Sequence, residues 1–167
     1  MSFKNRIGQT LHDEHEATLA LMQRLEQLIA RYRRGGPPDV ADVAVAKLLS
    51  DLSTGVEREF QRHFSFEEDE LFAYLRANGE EALGAHLTDE HAVVRPIGMR
   101  LATVARGATT VGFDEATWEE FCRLGQELSG IMHGHVQKEE MALLPLIEDS
   151  MDADTEARLA EAYLETA

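Results

Sequence analysis

The sequence is poor in several features that direct the interpretation of other proteins. Its 167 residues contain one cysteine, Cys122, so neither an internal disulfide nor a thiolate metal cluster can form. Basic residues number 16 against 31 acidic ones, and a net charge of −15 does not suit nucleic acid or an anionic membrane surface. No apolar run approaches the length of a membrane span. We therefore expect no nucleic-acid partner and no membrane partner.

The remaining composition is that of an ordinary folded protein. Hydrophobic residues make up 44% of the chain, and 167 residues are enough to bury one substantial core. The opening segment, MSFKNRIGQTLHDEHE, lacks the apolar region of a signal peptide, so we expect a cytoplasmic location. We expect residues 1–167 to form a single domain whose core covers about residues 3–150.

Helical periodicity dominates the chain. Strand patterns are nearly absent, whereas apolar residues recur about every 3.5 to 3.6 residues. This pattern predicts a first helix over residues 3–34 and a second that begins after an N-cap at Asp39 and stops at Asn78 and Gly79. A third helix is predicted from residue 80 to Gly107.

Further signals bend the third helix and start the fourth. Pro96 is expected to kink the third helix one turn past His91. Asp114 is expected to cap the fourth helix, with Phe113 and Trp118 as a hydrophobic staple. A short fifth helix is predicted near residues 154–164. Long antiparallel helices with short loops predict an all-α, up-down-up-down four-helix bundle with a short additional C-terminal helix.

A weak internal repeat relates the two halves of the chain. The tripeptide Asp-Glu-His that ends at His15 occurs again, ending at His91. The segment His63-x-x-x-Glu67-Glu68 likewise matches the segment His135-x-x-x-Glu139-Glu140. The chain is therefore expected to form two similar helical hairpins, so that any central site has approximate two-fold symmetry.

The histidines are separated by their helical phase. The spacing His-x-x-x-Glu occurs four times, which makes the spacing alone a weak signal in so acidic a chain. The polar residues that continue the apolar face of their helix are His15, His63, Glu67, His91, His135 and Glu139. The residues that are rotated away from it are His12, His86, His133, Glu16 and Glu90. Rise per residue places the four core histidines at a similar depth in the bundle.

Four imidazoles and two carboxylates in an apolar core predict a metal site. A buried, unpaired carboxylate costs several kcal/mol, and a metal-free hydrogen-bonded network is the alternative that could satisfy it. Six such groups exceed the needs of one tetrahedral zinc ion, but they suit two ions bridged by both carboxylates. Mixed nitrogen and oxygen ligands favour iron, with manganese next. The Glu-x-x-His spacing of ferritin-like di-iron proteins does not occur in the chain.

On these motifs the sequence resembles the hemerythrin-like, HHE cation-binding family. The resemblance spans residues 10–150 and implies a four-helix bundle with two non-haem iron ions, oxo- or hydroxo-bridged. It implies that His15 and His63 bind one iron and that His91 and His135 bind the other. Glu67 and Glu139 would then bridge the two ions.

Two positions depart from the pattern of the oxygen-carrying members. Those members have a fifth histidine where this chain has Leu87, so both irons are expected to be open to external ligands, and reversible O₂ carriage is in doubt. His86 and His12 are alternative donors, although a solvated histidine is the expected state of each. In the oxygen-carrying members, the bridging acid of the fourth helix follows its histidine by five residues, which would select Glu140 in place of Glu139.

Several other residues receive structural roles. Glu68 and Glu140 are expected to face the rim and to orient an imidazole. Glu14 and Glu90 could do the same, but a solvated helix face is the expectation for both. The side chains expected to pack the core are those of Met22, Met99, Met132 and Tyr74.

The site allows functions of different classes. The first is a binding or sensing protein whose ligand is O₂, NO, peroxide or iron itself. The second is a redox enzyme that processes peroxide or NO with an external reductant, in which Cys122 or Tyr74 could take part. Repair of iron–sulfur clusters is disfavoured, because the relatives that perform it often carry an additional cysteine-containing N-terminal domain. A bundle with a vestigial, metal-free core is the remaining alternative.

Overall fold

The computed structural model describes residues 3–165, and these residues form helices without a strand. Helix α1 is Arg6–Tyr32. Helix α2 covers residues 43–77 and begins as the α-helix Val43–Arg58. Helix α3 is Glu81–Val111, helix α4 covers residues 115–150, and helix α5 is Ala153–Glu165. No helix in the described part of the chain is both long and apolar enough to cross a membrane.

Side-chain caps fix where the helices begin. Asn5 accepts hydrogen bonds from the amides of Ile7 and Gly8 and so starts helix α1 three residues later than predicted. The prediction of Asp39 as the second N-cap was wrong, because Asp42 accepts from the amides of the first turn of α2. Asp114 forms a capping box with Thr117, which confirms the predicted start of α4.

Ring contacts and glycines mark the other boundaries. The rings of Phe113 and Trp118 lie 5.1 Å apart, which confirms the hydrophobic staple. The predicted end of α3 at Gly107 was wrong, since the helix continues to Gly112. Gly112 has a φ of +77°, a left-handed conformation that ends a helix, whereas a single interior glycine only weakens one. Pro96 lies inside α3, and the bend expected there stays a prediction.

The four longer helices pack in a ring in which each contacts its neighbours. Helix α1 packs against α2 and α4, and α3 packs against the same two helices from the other side. Helix α5 packs against α1. This all-helical packing of five helices is consistent with the four-helix bundle predicted from the sequence.

Two apolar clusters fill the interior and leave a polar layer between them. The upper apolar cluster includes Met22, Phe60, Val94 and Met132. The lower apolar cluster includes Leu11, Leu71, Leu87 and Leu143. Each long helix contributes to both clusters, so the polar residues between them lie at one level and are shielded from water on both sides.

Helices α2 and α4 contain π-helical turns that the regular periodicity did not predict. They are Glu59–His63 and Glu67–Leu71 in α2, and Glu139–Leu143 in α4. In the first of these turns the amide of Phe64 donates to the carbonyl of Glu59, five residues back. The carbonyl of Phe60 accepts instead from Arg95 at 2.8 Å and from Ser65 at 3.1 Å.

One predicted core methionine lies at the surface. Met22 and Met132 are each 2% exposed, whereas Met99 is 43% exposed and the prediction for it was wrong. Gly98 takes the position that faces the core, where a Cβ atom would come within 2.6 Å of the Phe60 ring. The side chain of the following residue therefore points away from the interior.

Candidate metal centre

The polar layer between the clusters is made by the six residues that share the apolar face in the sequence. Each is at most 1% exposed: His15, His63, Glu67, His91, His135 and Glu139. Helices α1 and α3 contribute one histidine each, and α2 and α4 contribute a histidine and a glutamate each. The structure therefore brings together all six predicted residues.

The six residues form two groups that share both glutamates. One group is His15, His63, Glu67 and Glu139, and the other is His91, His135 and the same two glutamates. Within each group, ligand atoms lie within 4.8 Å of one another, a spacing at which one ion can contact them all. Two cation positions that share two carboxylates result.

Each glutamate turns one oxygen toward each group. The Glu67 oxygens lie 3.3 Å from Nε2 of His63 and 3.4 Å from Nε2 of His91. The Glu139 oxygens lie 3.0 Å from Nε2 of His15 and 3.1 Å from Nε2 of His135. Each glutamate therefore presents one oxygen to each of the two groups.

Four further glutamates hold the outer edge of the imidazoles in a closed ring. Nδ1 of His15 lies 2.7 Å from Glu140, and Nδ1 of His63 lies 2.9 Å from Glu14. The same atom of His91 lies 2.7 Å from Glu68, and that of His135 lies 2.9 Å from Glu90. Each glutamate comes from the helix before the histidine that it meets, so α1 contacts α2, α2 contacts α3, α3 contacts α4 and α4 contacts α1. We name these four glutamates the outer carboxylates.

The ring of outer carboxylates determines what the inner atoms can bind. When each Nδ1–H donates to a carboxylate, the neutral imidazole directs a lone pair from Nε2 into the site. All four oxygens of Glu67 and Glu139 are buried and accept no hydrogen bond within residues 3–165. With all four imidazoles neutral, four nitrogen and four oxygen acceptors face one another, and metal cations fit this set because a cation satisfies all of them at once.

Comparison with known proteins agrees with this geometry. The family model of the Hemerythrin HHE cation binding domain matches residues 6–147. This chain is a member of the hemerythrin HHE family. A search of curated proteins gave no significant match. The matched segment contains all six inner residues and ends before helix α5.

Membership of the hemerythrin HHE family supports cation binding by this chain, and burial sets the electrostatics of the six inner residues. Burial raises the pKa of the Glu139 carboxyl, but the imidazoles of His135 and His15 lower it by more, so the net pKa is below the ordinary value. The pKa of Glu67 is raised by burial and by the charge of Glu139. Of the two shared carboxylates, Glu67 is the one that takes up a proton more easily when no cation is bound.

The histidines divide in the same way. Burial and the neighbouring His135 lower the pKa of His91 to about 4. Burial also lowers the pKa of His135, but contact with Glu139 outweighs it and raises the value to about 9. One imidazole of this pair is therefore a neutral ligand at pH 7, whereas the other must lose a proton to bind a cation.

The geometry of the site shows that several predictions of solvated residues were wrong. Glu14 and Glu90, expected to be solvated, each hold a histidine, as Glu68 and Glu140 were expected to do. His12, expected to be solvated, is 8% exposed and lies 2.9 Å from Glu140. Each of these residues is rotated away from the core face of its own helix but faces the helix beside it.

Other candidate donors do not reach the centre. The side chain of His86 is 57% exposed, and His133 is an exposed residue whose Nδ1 lies 2.8 Å from its own helix backbone at Ser129. Leu87 is fully buried in the lower apolar cluster. Glu140 contacts His12 and His15 but belongs to neither group of ligand atoms. Glu139 belongs to both groups.

Sequence reasoning missed the groups that anchor the outer carboxylates. Arg95 donates to Glu68 at 2.9 Å, Lys138 donates to Glu90, and Tyr163 donates to Glu14. Arg95 and Lys138 lie four and three residues after a core histidine, a spacing that could have indicated them. Tyr163 belongs to helix α5, and no pattern in the sequence links it to residue 14.

Proposed function

We propose that this chain is a non-haem di-iron protein of the hemerythrin type that binds a small diatomic or peroxide ligand and thereby senses or buffers it. The observation that carries the proposal is the sharing of Glu67 and Glu139 by two pairs of imidazoles. In this proposal His15 and His63 hold one iron, His91 and His135 hold the other, and both glutamates bridge them. The four longer helices are then an up-down-up-down bundle, and the chain is one domain.

The donor set favours iron over zinc. Each position receives two imidazole nitrogens and two carboxylate oxygens, and the cysteine of the chain lies elsewhere, beside Trp118. Mixed nitrogen and oxygen donors around two adjacent ions suit iron, which also accepts further ligands from solution. When bound, the iron pair would supply reversible redox chemistry and Lewis acidity to such a ligand.

The protein itself supplies few ligands and a dry surrounding. Leu87 occupies the position of the additional histidine of oxygen carriers, so each proposed iron has two imidazoles from this chain. Phe64 stacks on the His91 ring at 3.7 Å and fixes its plane. These features leave coordination positions for an external ligand at both ions.

Two cavities of different chemistry lie beside the ligands. One of ≈ 130 Å³ is lined by residues that include Glu14, Arg62 and His63. An apolar cavity of ≈ 20 Å³ lies one turn from the histidines and is lined by residues that include Met22, Phe60 and Met132. This volume holds a molecule of about the size of water. Its lining includes a single titratable side chain, that of Glu59, so it offers little acid–base assistance to a multistep reaction.

Metal content and the electronic spectrum test the proposal. We expect about two irons per chain after anaerobic reconstitution with Fe(II), and oxo-to-iron absorption bands in the near ultraviolet once O₂ has oxidised the iron to Fe(III). NO should bind saturably to the reduced form and azide to the oxidised form. His91→Ala should abolish the bands, whereas His133→Ala, at an exposed position that contacts its own helix at Ser129, should leave them unchanged. Absence of iron in the wild-type protein would refute the proposal. Consumption of peroxide beyond stoichiometry would assign the site to an enzyme instead.

A further inference from the structure

The outer carboxylates of the two metal positions are anchored by groups of different chemistry. Around His91 and His135, they accept hydrogen bonds from the permanent cations Arg95 and Lys138. Around His15 and His63, the corresponding contacts come from His12 and Tyr163. The internal repeat therefore matches the ligands of the two positions but not the groups behind them.

Tyr163 comes from a part of the chain outside the hemerythrin domain. It lies in helix α5, whereas the family match ends at residue 147. Its side chain is 1% exposed, and its ring packs edge-on against Phe66 with the centroids 4.7 Å apart. The guanidinium of Arg62 lies 4.4 Å from the ring centre on another side. These contacts fix the ring tightly, so its hydroxyl has a defined position.

The Tyr163 hydroxyl and the His63 imidazole meet on one oxygen. Oε2 of Glu14 accepts from the hydroxyl and lies 2.9 Å from Nδ1 of His63. Arg62 approaches the other oxygen of Glu14 at 3.7 Å. Burial and the adjacent Glu14 raise the pKa of Tyr163, so its hydroxyl keeps its proton and remains a donor. Through Glu14, the position of α5 thus determines the orientation of the His63 ring.

We propose that Tyr163 is a positioning residue for the metal position of His15 and His63, and that helix α5 docks more firmly when that position is filled. This inference rests on the proposed function. A metal ion that holds Nε2 of His63 also fixes Nδ1, then Glu14, and then the tyrosine of α5. Because coupling of this kind is reciprocal, loss of the tyrosine hydroxyl must weaken metal binding at that one position.

Stepwise titration with Co(II), followed by its visible absorption, tests the first half of the inference. Tyr163→Phe keeps the packed ring and removes only the hydroxyl. We expect one of the two binding steps to weaken about tenfold and the other to change less than about twofold, since loss of such a partner costs about 10- to 100-fold in affinity. Lys138→Gln should weaken the other step, because Lys138 donates to Glu90, the outer carboxylate that contacts His135.

A matched control is available in the same protein. The Tyr74 hydroxyl contacts Ser150 at 3.1 Å, and neither residue touches the outer carboxylates. Tyr74→Phe should therefore leave both steps unchanged. If Tyr163→Phe does not fold, Glu14→Gln, which leaves the tyrosine ring in place, should weaken the same step.

Amide hydrogen exchange tests the second half. Metal should slow exchange within α5 of the wild-type protein, and this protection should be lost in Tyr163→Phe. Equal weakening of both Co(II) steps in Tyr163→Phe, no weakening at all, or an α5 that does not respond to metal in the wild-type protein would overturn the inference. A wild-type protein that binds no metal would instead refute the proposed function itself.

Discussion

Nε2 of His91 and Nε2 of His135 lie 3.1 Å apart, while the Nδ1 atoms of both rings face carboxylates on the outside. Two imidazoles in this orientation direct lone pairs at each other, which is unfavourable unless a proton or a cation lies between them. The pair of His15 and His63 repeats the arrangement at 3.3 Å. Each pair of imidazoles therefore needs a proton or a cation between its two Nε2 atoms.

Removal of metal should lower thermal stability. The oxygens of Glu67 and Glu139 are fully buried, and an ion that binds only the folded state stabilises that state by mass action. At a free metal concentration ~1,000-fold above Kd, this stabilisation is about 4 kcal/mol, or a Tm increase of about 8–16 °C in a chain of this size. Calorimetry with and without chelator measures it. Equal Tm values would show that the polar layer is satisfied without metal.

Metal affinity should increase with pH between about 6 and 9. The pKa of His135 is about 9 without metal, and contact with Glu67 outweighs burial to raise the pKa of His63 well above its ordinary value. Both imidazoles hold a proton at pH 7 that a cation must displace, whereas His91, with a pKa of about 4, holds none. Calorimetric titration in buffers of different ionisation enthalpy should show that metal binding releases protons. Affinity that stays constant over this range would contradict the assignment.

Glu139→Gln and Glu140→Gln should have different effects on metal binding. Glu139 gives an oxygen to each metal position, so its replacement should reduce the metal content of the purified protein. Glu140 contacts Nδ1 of His15, so its replacement should preserve the content and weaken affinity about 10- to 100-fold. Glu16→Gln, at a side chain that is 72% exposed, is the control. Loss of metal in Glu140→Gln alone would make Glu140 the bridging residue.

Gly98→Ala should destabilise the fold next to the site. The added Cβ would overlap the Phe60 ring and lie 3.0 Å from Val56, and overpacking of this kind costs about 1–3 kcal/mol. Gly134→Ala is the matched control, because a Cβ there has no neighbour within 4 Å and alanine favours a helix by about 1 kcal/mol. Urea unfolding of both variants should shift the midpoint in opposite directions. A stabilised Gly98→Ala would show that Phe60 moves freely.

The sequence predicted the helices and the six inner residues because both depend on one periodic signal. An apolar stripe identifies the buried face of each helix, and a polar residue on that face is conspicuous when its neighbours are leucine and methionine. The repeat matched Glu139 with Glu67, and the pairing of the histidines was an expectation that came from the family resemblance. The sequence does not separate Asp39 from Asp42 as a cap, because both are aspartates shortly before an apolar run and only the backbone shows which amides are free.

The residues that were missed or misplaced depend on contacts between helices. Glu14 and Glu90 are polar on their own helix and buried by the adjacent one, so a phase measured within a single helix assigns them to solvent. The π-helical turns depend on which carbonyl an amide selects, and residue type hardly affects that choice. Tyr163 meets Glu14 across 149 positions of sequence, a distance that no local pattern bridges.

The closed ring of outer carboxylates joins the two helical hairpins to each other as well as the helices within each hairpin. Two of its links, from α1 to α2 and from α3 to α4, lie within a helical hairpin, and the other two connect one hairpin with the other. Each hairpin thus contributes one glutamate that contacts a histidine of the other hairpin, and one of its own histidines contacts a glutamate of that other hairpin. Two identical hairpins would satisfy this requirement without a covalent connection between them, so the contacts that close the ring do not depend on the loop that joins the hairpins.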